Sequence, residues 1–393
     1  MKTRYFEFHN KSKLISGKNA LDHISFELDN MMCKNPMLIT DKMLVKFGHL
    51  KIVKDSLDEG GIQIGYIYDD VPADSSVKVC NKIAKLYKKY NCDSIIALGG
   101  GSVLDTSKGV NLSLSSGADD LLEVMGLGVI KNNTVPLVMI PTTAGTGSEA
   151  TLVAVIADKQ KEVKMEFLSY NIVSDVAILD PRMTTTLPPK LTAATGLDAL
   201  VHAIEAYTGK QKNPVSDTFA LTAIRYIRQN LFIAIKDGKD EDARIGMANA
   251  SYMAGVAFSN SMVGMVHAIG HALGGVSHVP HGFAMPILLP WCMECNYDKA
   301  GDLYGELLPY LIDIKELVQI PASEWGRHCI KIIKDMINEL NKLSGIPTRL
   351  RDCNVNKEDF EKIANTAIND GAILVNIKEI NKAMVMDILK KAY

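Results

Sequence analysis

The sequence GMVHAIGHALGG, from Gly264 to Gly275, lies within a longer stretch, Ile245 to Met293, that contains no Asp, Glu, Lys or Arg. Charged residues make up 22% of the whole chain. An uncharged stretch of this length therefore indicates a buried core, because unpaired charge is rare in protein interiors. The stretch also holds four of the nine histidines: His267, His271, His278 and His281. Buried imidazoles need a partner, either a backbone carbonyl or a metal ion, and four of them in one segment favour a metal.

The composition of the whole chain excludes several classes of protein. With 43 Lys and Arg against 45 Asp and Glu, the net charge is −2, which argues against nucleic acid or an anionic membrane as a partner. The first residues, MKTRYFEFHNKSKL, contain no apolar segment of the kind found in secretory signals. Asn249, Asn260 and the histidines make the uncharged stretch too polar for a lipid-facing helix. We therefore expect a cytoplasmic protein with no membrane partner.

The cysteines provide little further information. There are seven, an odd number, and most are scattered, which fits a reducing compartment. Cys292 and Cys295 form one CxxC pair. A single pair without a second one is weak evidence for a zinc or redox site.

In the first half of the chain, short apolar runs alternate with helical patterns. Such alternation predicts a largely parallel β-sheet covered by helices on both faces. One amphipathic helix is predicted from Ser75 to Tyr90, with another from about Val103. The predicted strands are Pro36 to Thr40, Ile62 to Tyr68, Ser94 to Gly100, Val135 to Ile140, Thr151 to Ala157 and Val176 to Asp180.

After Pro181 the pattern becomes helical. The run LPPK, from Leu187 to Lys190, interrupts the chain, and alternating β-branched runs are scarce beyond it. We therefore predict an α/β domain over residues 1–187 and an all-helical domain over residues 188–393. The predicted helices of the second domain are Leu191 to Tyr207, Asp217 to Ile235, Glu241 to Ala257, Val263 to Leu273, Trp325 to Leu343 and Lys357 to Asn365.

Two glycine-containing loops follow predicted strands. GGGS, at Gly99 to Ser102, stands between a strand and a helix, where glycines let the backbone approach a phosphate and the helix N-terminus attracts its charge. The alternative is an ordinary tight turn, and the usual GxGxxG fingerprint is absent. PTTAGTGSE, at Pro141 to Glu149, is a polar loop at the carboxyl end of another strand, where ligands bind in parallel sheets. Together the loops predict a long phosphate-bearing ligand.

Asp41 ends the first predicted strand. A carboxylate there can accept hydrogen bonds from the ribose hydroxyls of a dinucleotide and would repel a 2′-phosphate. Aspartate is equally suited to capping the helix that follows. The position of the residue in the sequence does not decide between these roles.

A second group of candidate ligands precedes the uncharged stretch. Asp198 and His202 are four residues apart in TGLDALVHAIEAY and therefore share one helix face, with Glu205 as a weaker candidate. The alternative is a partly buried Asp–His hydrogen bond. His267 and His271 have the same spacing, and His281 is predicted to lie in a loop after Pro280. The motif HExxH is absent, which argues against a metalloprotease, and spacing alone does not choose among the four histidines.

These residues together resemble the iron-containing (group III) alcohol dehydrogenase family. The similarity covers nearly the whole chain, and the matching runs occur in the order found in the family. One difference is PAD at Pro72 to Asp74, where many relatives have a second proline or an asparagine. The matching runs are ITD (Ile39 to Asp41), GGGSVLDTSK (Gly99 to Lys108), PTTAGTGSE, LDP (Leu179 to Pro181), ATGLDALVHAIEAY (Ala194 to Tyr207), MVHAIGHALG (Met265 to Gly274) and PHG (Pro280 to Gly282).

The resemblance implies a role for each candidate residue. His271 is expected near the substrate as a polar group or proton relay, whereas His278 has no implied role. Asp41 is expected to favour NAD(H) over NADP(H). The implied metal ligands are Asp198, His202, His267 and His281. The implied cofactor-binding residues are Asp41, Gly99, Gly100, Gly101, Ser102, Thr142, Thr143, Thr146 and Lys164.

The resemblance also implies the fold and the reaction. The fold is an α/β dinucleotide-binding domain followed by an all-α metal-binding domain, in a homodimer or larger homo-oligomer. The implied enzyme uses Fe(II), with Zn(II) or another divalent metal as alternatives, to exchange hydride between NAD(H) and a small primary alcohol, aldehyde or diol. Mixed nitrogen and oxygen ligands suit all of these metals. The alternatives are a glycerol-dehydrogenase-like or dehydroquinate-synthase-like enzyme and a non-catalytic protein that binds metal and nucleotide.

Overall fold

The computed structural model describes residues 5–124, 134–158 and 163–393, with the side chains of the last range described from Met165 onward. The chain divides into two compact units. One comprises His9–Thr186, and the other comprises Leu187–Tyr393 together with the described residues from Tyr5 to Phe8. The sequence prediction had placed the N-terminal residues in the α/β domain, but Phe8 stacks on Phe219 of the helical unit with ring centroids 5.8 Å apart.

A six-stranded parallel sheet forms the centre of the first unit, with the strand order β1-β8-β5-β4-β2-β3. The predicted class, a mostly parallel α/β fold followed by a helical part, is confirmed. The six strands of the sheet are β1 (Lys13–Ser16), β2 (Pro36–Ile39), β3 (Tyr66–Tyr68), β4 (Ser94–Gly99), β5 (Leu137–Pro141) and β8 (Val176–Leu179).

Helices cover both faces of this sheet. Alternate residues of β4 belong to different apolar clusters: Ile95 packs in the cluster that contains Ile83 and Leu104, and Ile96 packs in the cluster that contains Val53. A strand buried on both faces has no polar side, which explains its continuous apolar sequence. The helices of this unit are α1 (Ile24–Asn30), α2 (Lys42–Lys46), α3 (His49–Glu59), α4 (Val77–Lys89) and α5 (Gly101–Ser116).

The strand predicted at Thr151 to Ala157 does not join the parallel sheet. It is β6 (Val153–Asp158), which pairs in antiparallel fashion with β7 (Val163–Leu168) to form a separate two-stranded ribbon. Its burial alternates residue by residue, as expected for a strand that is covered on one face only. The interpretation of this run as another parallel strand was therefore wrong, because periodicity alone does not identify the pairing partner.

The second unit is helical. Packing is extensive among α6, α7 and α8, and α10 packs against α6, α9 and α12. Across the described ranges, no helix combines the length and hydropathy needed to span a membrane. Its helices are α6 (Pro189–Thr208), α7 (Pro214–Lys236), α8 (Glu241–Ser261), α9 (Met265–Ser277), α10 (His281–Leu311), α11 (Ile314–Leu317), α12 (Trp325–Ser344), α13 (Phe360–Ala367) and α14 (Lys382–Ala392).

The sequence did not predict α10, although it is 31 residues long. Pro286, Pro290 and Pro309 all lie inside it, and proline removes a helical N–H and usually ends a helix. His281 is the first residue of α10 rather than part of a loop, with Pro280 at the N-cap. The imidazole is therefore carried by the first turn of a helix.

Candidate metal centre and cofactor loops

Asp198 and His202 lie one turn apart on α6, and both side chains are almost fully buried. Nearly the whole of this helix, from Thr192 to Thr208, is buried. A helix enclosed on all sides has no solvent-exposed face for polar side chains, so a carboxylate and an imidazole within it require a specific partner.

Two further imidazoles approach Asp198 from other helices. His267 comes from α9 and His281 from the first turn of α10. Asp198 Oδ1 lies 3.9 Å from His267 Nε2 and 3.4 Å from His281 Nε2, and Asp198 Oδ2 lies 4.0 Å from His202 Nδ1. One ligand atom from each of the four residues lies within 4.8 Å of the others. These are separations that a single ion placed between the four residues would bridge.

The hydrogen bonding of the cluster fits a metal site. Asp198 Oδ1, His202 Nδ1 and His267 Nε2 are buried and have no hydrogen-bond partner in the described part of the chain. Leaving a buried polar atom unpaired costs about 1–3 kcal/mol, so several unpaired atoms around one point indicate a ligand that satisfies them. The side chain of His281 is 39% exposed, whereas the other three residues of the cluster are buried. Three imidazoles and one carboxylate are a donor set suited to a divalent transition metal.

The ionisation of the cluster also favours metal binding. Burial lowers the pKa of His202 to about 3 and that of His267 well below its usual value. For Asp198, burial raises the pKa, but the interactions with the neighbouring imidazoles outweigh it and bring the net value below the usual range. Neutral imidazoles and an ionised carboxylate are the forms that ligate metals.

Glu205 lies behind His267 and does not belong to the group of four. Its Oε2 is 2.6 Å from His267 Nδ1, and its Oε1 accepts a hydrogen bond of 2.7 Å from the backbone N–H of Val266. Because a carboxylate accepts the Nδ1 proton, Nε2 of His267 is left for the cluster. The sequence offers Glu205 as a weaker candidate for a metal ligand. In the structure Glu205 instead contacts His267, one of the four clustered residues, and orients its ring.

His271 lies beside the cluster without joining it. Its ring centroid is 5.8 Å from that of His267 and 5.7 Å from that of His281. Its Nδ1 is 2.9 Å from Asp370 Oδ2. Burial raises the pKa of Asp370, but the hydrogen bond and charge of His271 outweigh this effect and lower it overall. Asp370 belongs to none of the motifs found in the sequence, and no spacing signal identified it.

Other residues of the helical unit lie beside this cluster or outside it. His278 ends α9 in the left-handed conformation, with φ 55°, and lies outside the cluster. Phe258 stacks on His202 with ring centroids 4.3 Å apart, so it packs directly against a candidate ligand. Cys292 is buried and Cys295 is half-buried, and both are free thiols.

In the α/β unit, the two glycine-containing loops lie side by side, because β4 and β5 are neighbouring strands. The backbone N–H of Thr142 donates to the carbonyl of Gly99 over 3.0 Å. A Cβ at Gly100 would be 3.2 Å from Thr143 Cγ2, and one at Gly101 would be 3.0 Å from Thr146 Cγ2. The glycines therefore allow this close packing, and α5 begins at Gly101 with its N-terminal N–H groups at this edge of the sheet.

Two side chains of α5, the half-buried Asp105 and the buried Lys108, hold the end of the second loop and the strand after it, and the sequence does not single them out. Asp105 accepts hydrogen bonds from Ser148 Oγ over 2.7 Å and from the backbone N–H of Val155 over 3.0 Å. Lys108, which is fully buried, donates at 2.8 Å to the carbonyl oxygens of Thr151 and Val153. These contacts fix the C-terminal end of PTTAGTGSE, and the start of β6 that follows it, to the helix that follows GGGS.

The structure gives side-chain contacts for two further predicted cofactor residues, Asp41 and Ser102, but not for a third, Lys164. Asp41 caps α2, with Oδ1 accepting from the N–H groups of Met43 at 2.8 Å and Leu44 at 3.0 Å. The Ser102 hydroxyl donates to the carbonyl of Ala73, in the run Pro72 to Asp74. Lys164 lies in β7, and its side chain is outside the described residues.

Comparison with known proteins identifies the family. The profile described as iron-containing alcohol dehydrogenase matches residues 11–181, and that of the Fe-containing alcohol dehydrogenase family, C-terminal, matches residues 192–393. Alcohol dehydrogenase 4 of Saccharomyces cerevisiae (strain YJM789) is 36% identical over 379 residues, covering 96% of each chain. The NAD-dependent methanol dehydrogenase of Bacillus methanolicus is 33% identical and covers 96% of this chain and 97% of its own.

The solved structures agree with the sequence comparison. A crystal structure of 1,3-propanediol oxidoreductase superimposes with a TM-score of 0.94 at 33% identity, covering 99% of this chain and 100% of its own. The match thus extends over both units and over the helices that carry the four clustered residues. The chain belongs to the iron-containing alcohol dehydrogenase family.

Proposed function

We propose that this protein is an NAD-dependent alcohol dehydrogenase that uses a divalent metal, Fe(II) in its native form, to interconvert small primary alcohols or diols and their aldehydes. The observation that carries the proposal is the cluster of Asp198, His202, His267 and His281, with three buried ligand atoms that lack any other partner. The membership of the family and the names of the relatives support the reaction class. We further propose a homodimer or larger homo-oligomer.

The residues around the cluster have distinct roles in this proposal. A divalent metal bound there would supply Lewis acidity toward the oxygen of an alcohol or aldehyde. Asp198 provides the negative charge of the site, and Glu205 holds His267 with Nε2 directed at the cluster. The partly exposed side of His281 leaves a route for substrate. His271, close to two of the ligands, is suited to move a proton at its Nε2.

We propose that the α/β unit holds the cofactor. The N–H groups at the start of α5, with Gly99, Gly100, Gly101 and Ser102, would bind the pyrophosphate. Thr142, Thr143 and Thr146 would line the same site, because their loop packs directly on those glycines. Lys164 is included in this site on the family resemblance alone.

The experiment that tests this function is a substrate panel. Anaerobic, iron-loaded protein is assayed for oxidation of NADH and NADPH with short aldehydes, hydroxyaldehydes and keto compounds, and for the reverse reaction with alcohols, diols and glycerol. Turnover with an aldehyde or primary alcohol supports the proposal. Activity with glycerol alone would favour the glycerol-dehydrogenase-like alternative, and the absence of turnover with every compound would reject the dehydrogenase.

Replacing Asp41 with serine should weaken discrimination against NADPH. Serine caps a helix about as well as aspartate does, so the N–H groups of Met43 and Leu44 keep an acceptor while the negative charge is removed. Juxtaposed like charges cost several kcal/mol, so the ratio of kcat/KM for NADH to that for NADPH is expected to fall by about tenfold or more. Steady-state kinetics with both cofactors measure this ratio.

The matched control is Asp70→Ser, which removes a nearby exposed carboxylate that pairs with Lys42. The control should leave the NADH to NADPH ratio within about twofold of that of the original protein, because screened surface charges act weakly at a distance. If Asp41→Ser also leaves the ratio unchanged, Asp41 is a helix cap only.

A further inference from the structure

Asp370 contacts His271 directly and does not belong to the cluster of four residues. Its Oδ2 lies 2.9 Å from His271 Nδ1, and both side chains are largely shielded, with 18% and 28% of their surfaces exposed. A carboxylate that is ionised has no proton to donate, so Nδ1 of His271 must carry the proton of this hydrogen bond. Any exchange of His271 with a bound substrate therefore has to go through Nε2.

The carboxylate of Asp370 is itself held in place. Its other oxygen, Oδ1, accepts a 2.8 Å hydrogen bond from the backbone N–H of Ala372. This bond caps the short helical segment Gly371–Val375, which packs against α9, the helix that carries both His267 and His271. Because both oxygens of Asp370 accept hydrogen bonds, the orientation of the carboxylate is fixed. The hydrogen bond to Nδ1 in turn fixes the orientation of the His271 ring.

The geometry of the candidate centre makes this orientation important. The ring of His271 lies nearly parallel to that of His281, with centroids 5.7 Å apart and an interplanar angle of 21°. It meets His267 edge-on, at 5.8 Å and 70°. Rotation of the ring about its χ angles would move Nε2 away from a substrate placed at the cluster, and a displacement of about 1 Å can cost about 100-fold in rate.

We propose that Asp370 is a positioning residue that fixes the tautomer and ring orientation of His271, so that Nε2 faces the substrate bound at the cluster. This proposal rests on the proposed dehydrogenase function. It assigns a role in the reaction to a residue far from the recognised motifs in sequence. Asp370 contacts Nδ1 of His271 as Glu205 contacts Nδ1 of His267. In each pair the carboxylate accepts the Nδ1 proton, so Nε2 is the ring nitrogen that can act at the centre.

The variants must separate this role from the capping of Gly371–Val375. Asp370→Ser keeps an oxygen that can accept from the N–H of Ala372, but its side chain is too short to hold His271 Nδ1. Asp370→Ala removes both contacts. If Asp370 acts through His271, both variants should lower kcat by about tenfold or more. If Asp370 acts only as a cap, Asp370→Ser should retain the original kcat.

A double-mutant cycle with His271→Ala tests the connection directly. A positioning residue has nothing left to position once the imidazole is absent. Asp370→Ser is therefore expected to change kcat by less than about twofold in the His271→Ala background, although it has a large effect in the original protein. A loss of kcat of similar extent in both backgrounds would mean that Asp370→Ser acts by a route other than His271.

Two readouts do not depend on turnover. Nuclear magnetic resonance of the protein with isotope-labelled histidine should show His271 as the Nδ1-protonated tautomer, and Asp370→Ser should convert it to a mixture. Metal content measured by elemental analysis should be equal in the two proteins, because Asp370 is not one of the clustered residues. The matched control is Asp359→Asn, which alters another carboxylate that contacts α9, through Ser277 at 3.4 Å, and should change neither readout.

The outcomes are distinguishable. A lower kcat for Asp370→Ser, with a mixed His271 tautomer and full metal content, supports the proposal. An unchanged tautomer, or equal losses of kcat in both backgrounds of the cycle, overturns it. If the unaltered, metal-loaded protein has no dehydrogenase activity at all, the proposed function fails, and the tautomer measurement still decides whether Asp370 positions His271.

Discussion

Replacing Asp198 with asparagine is expected to abolish tight metal binding and to lower turnover by more than about 100-fold, since even the groups that only support metal ligands are worth about 10- to 100-fold. Asp198 is the only carboxylate among the four clustered residues, and its oxygens are the atoms that the three imidazoles approach, at 3.4 to 4.0 Å. Asparagine has nearly the same shape as aspartate, so any loss of metal binding or turnover can be attributed to removal of the negative charge.

Elemental analysis of the purified protein and anaerobic steady-state kinetics measure this loss. Asp240→Asn is a suitable control, because Asp240 caps α8 through Ala243 and asparagine is an equally good cap. The control should match the original protein in metal content and kcat. Retention of metal at full occupancy by Asp198→Asn, together with undiminished turnover, would mean that the metal binds elsewhere.

The second large effect is expected at Glu205. Glu205→Ala leaves both the N–H of Val266 and Nδ1 of His267 without their acceptor in a buried site, and the affinity for metal should fall by about 10- to 100-fold. Glu205→Gln keeps one acceptor oxygen and should lose less. Because Glu205 does not belong to the ligand group, saturating metal should restore most of kcat, whereas it should not do so for Asp198→Asn.

Competition with a chromophoric chelator gives the metal dissociation constant, and kcat is then measured as a function of added metal. The role of Glu205 in orienting His267 is supported if metal affinity is highest in the original protein, lower in Glu205→Gln and lowest in Glu205→Ala. Equal affinity in all three proteins would contradict it and would make the contact between Glu205 and His267 incidental.

Most of the sheet was predictable from sequence because its strands are buried on both faces. Runs such as Ser94 to Gly100 and Val135 to Ile140 are continuously apolar, which identifies them as strands between two layers of helices. Two features were not predictable in this way. The ribbon of β6 and β7 depends on pairing between neighbouring strands, and α10 tolerates prolines that normally end a helix.

The candidate centre was predictable only in part. The spacing of Asp198 and His202 predicts that they share one helix face. Spacing does not decide which of the four later histidines complete the site, and only the family resemblance selects His267 and His281. The structure places those two beside Asp198 and separates them from His278. Glu205 and Asp370 act across long sequence separations, so no local pattern reveals that each accepts from an imidazole.

The most direct test of the central claim is reconstitution of the metal-free protein. The protein is stripped with a chelator, titrated with Fe(II) under anaerobic conditions, and assayed at each step for bound metal and for oxidation of NADH with an active aldehyde. The account predicts that activity rises in proportion to bound metal and saturates at one ion per chain. Full activity in the metal-free protein, or binding of one ion with no return of activity, would contradict it.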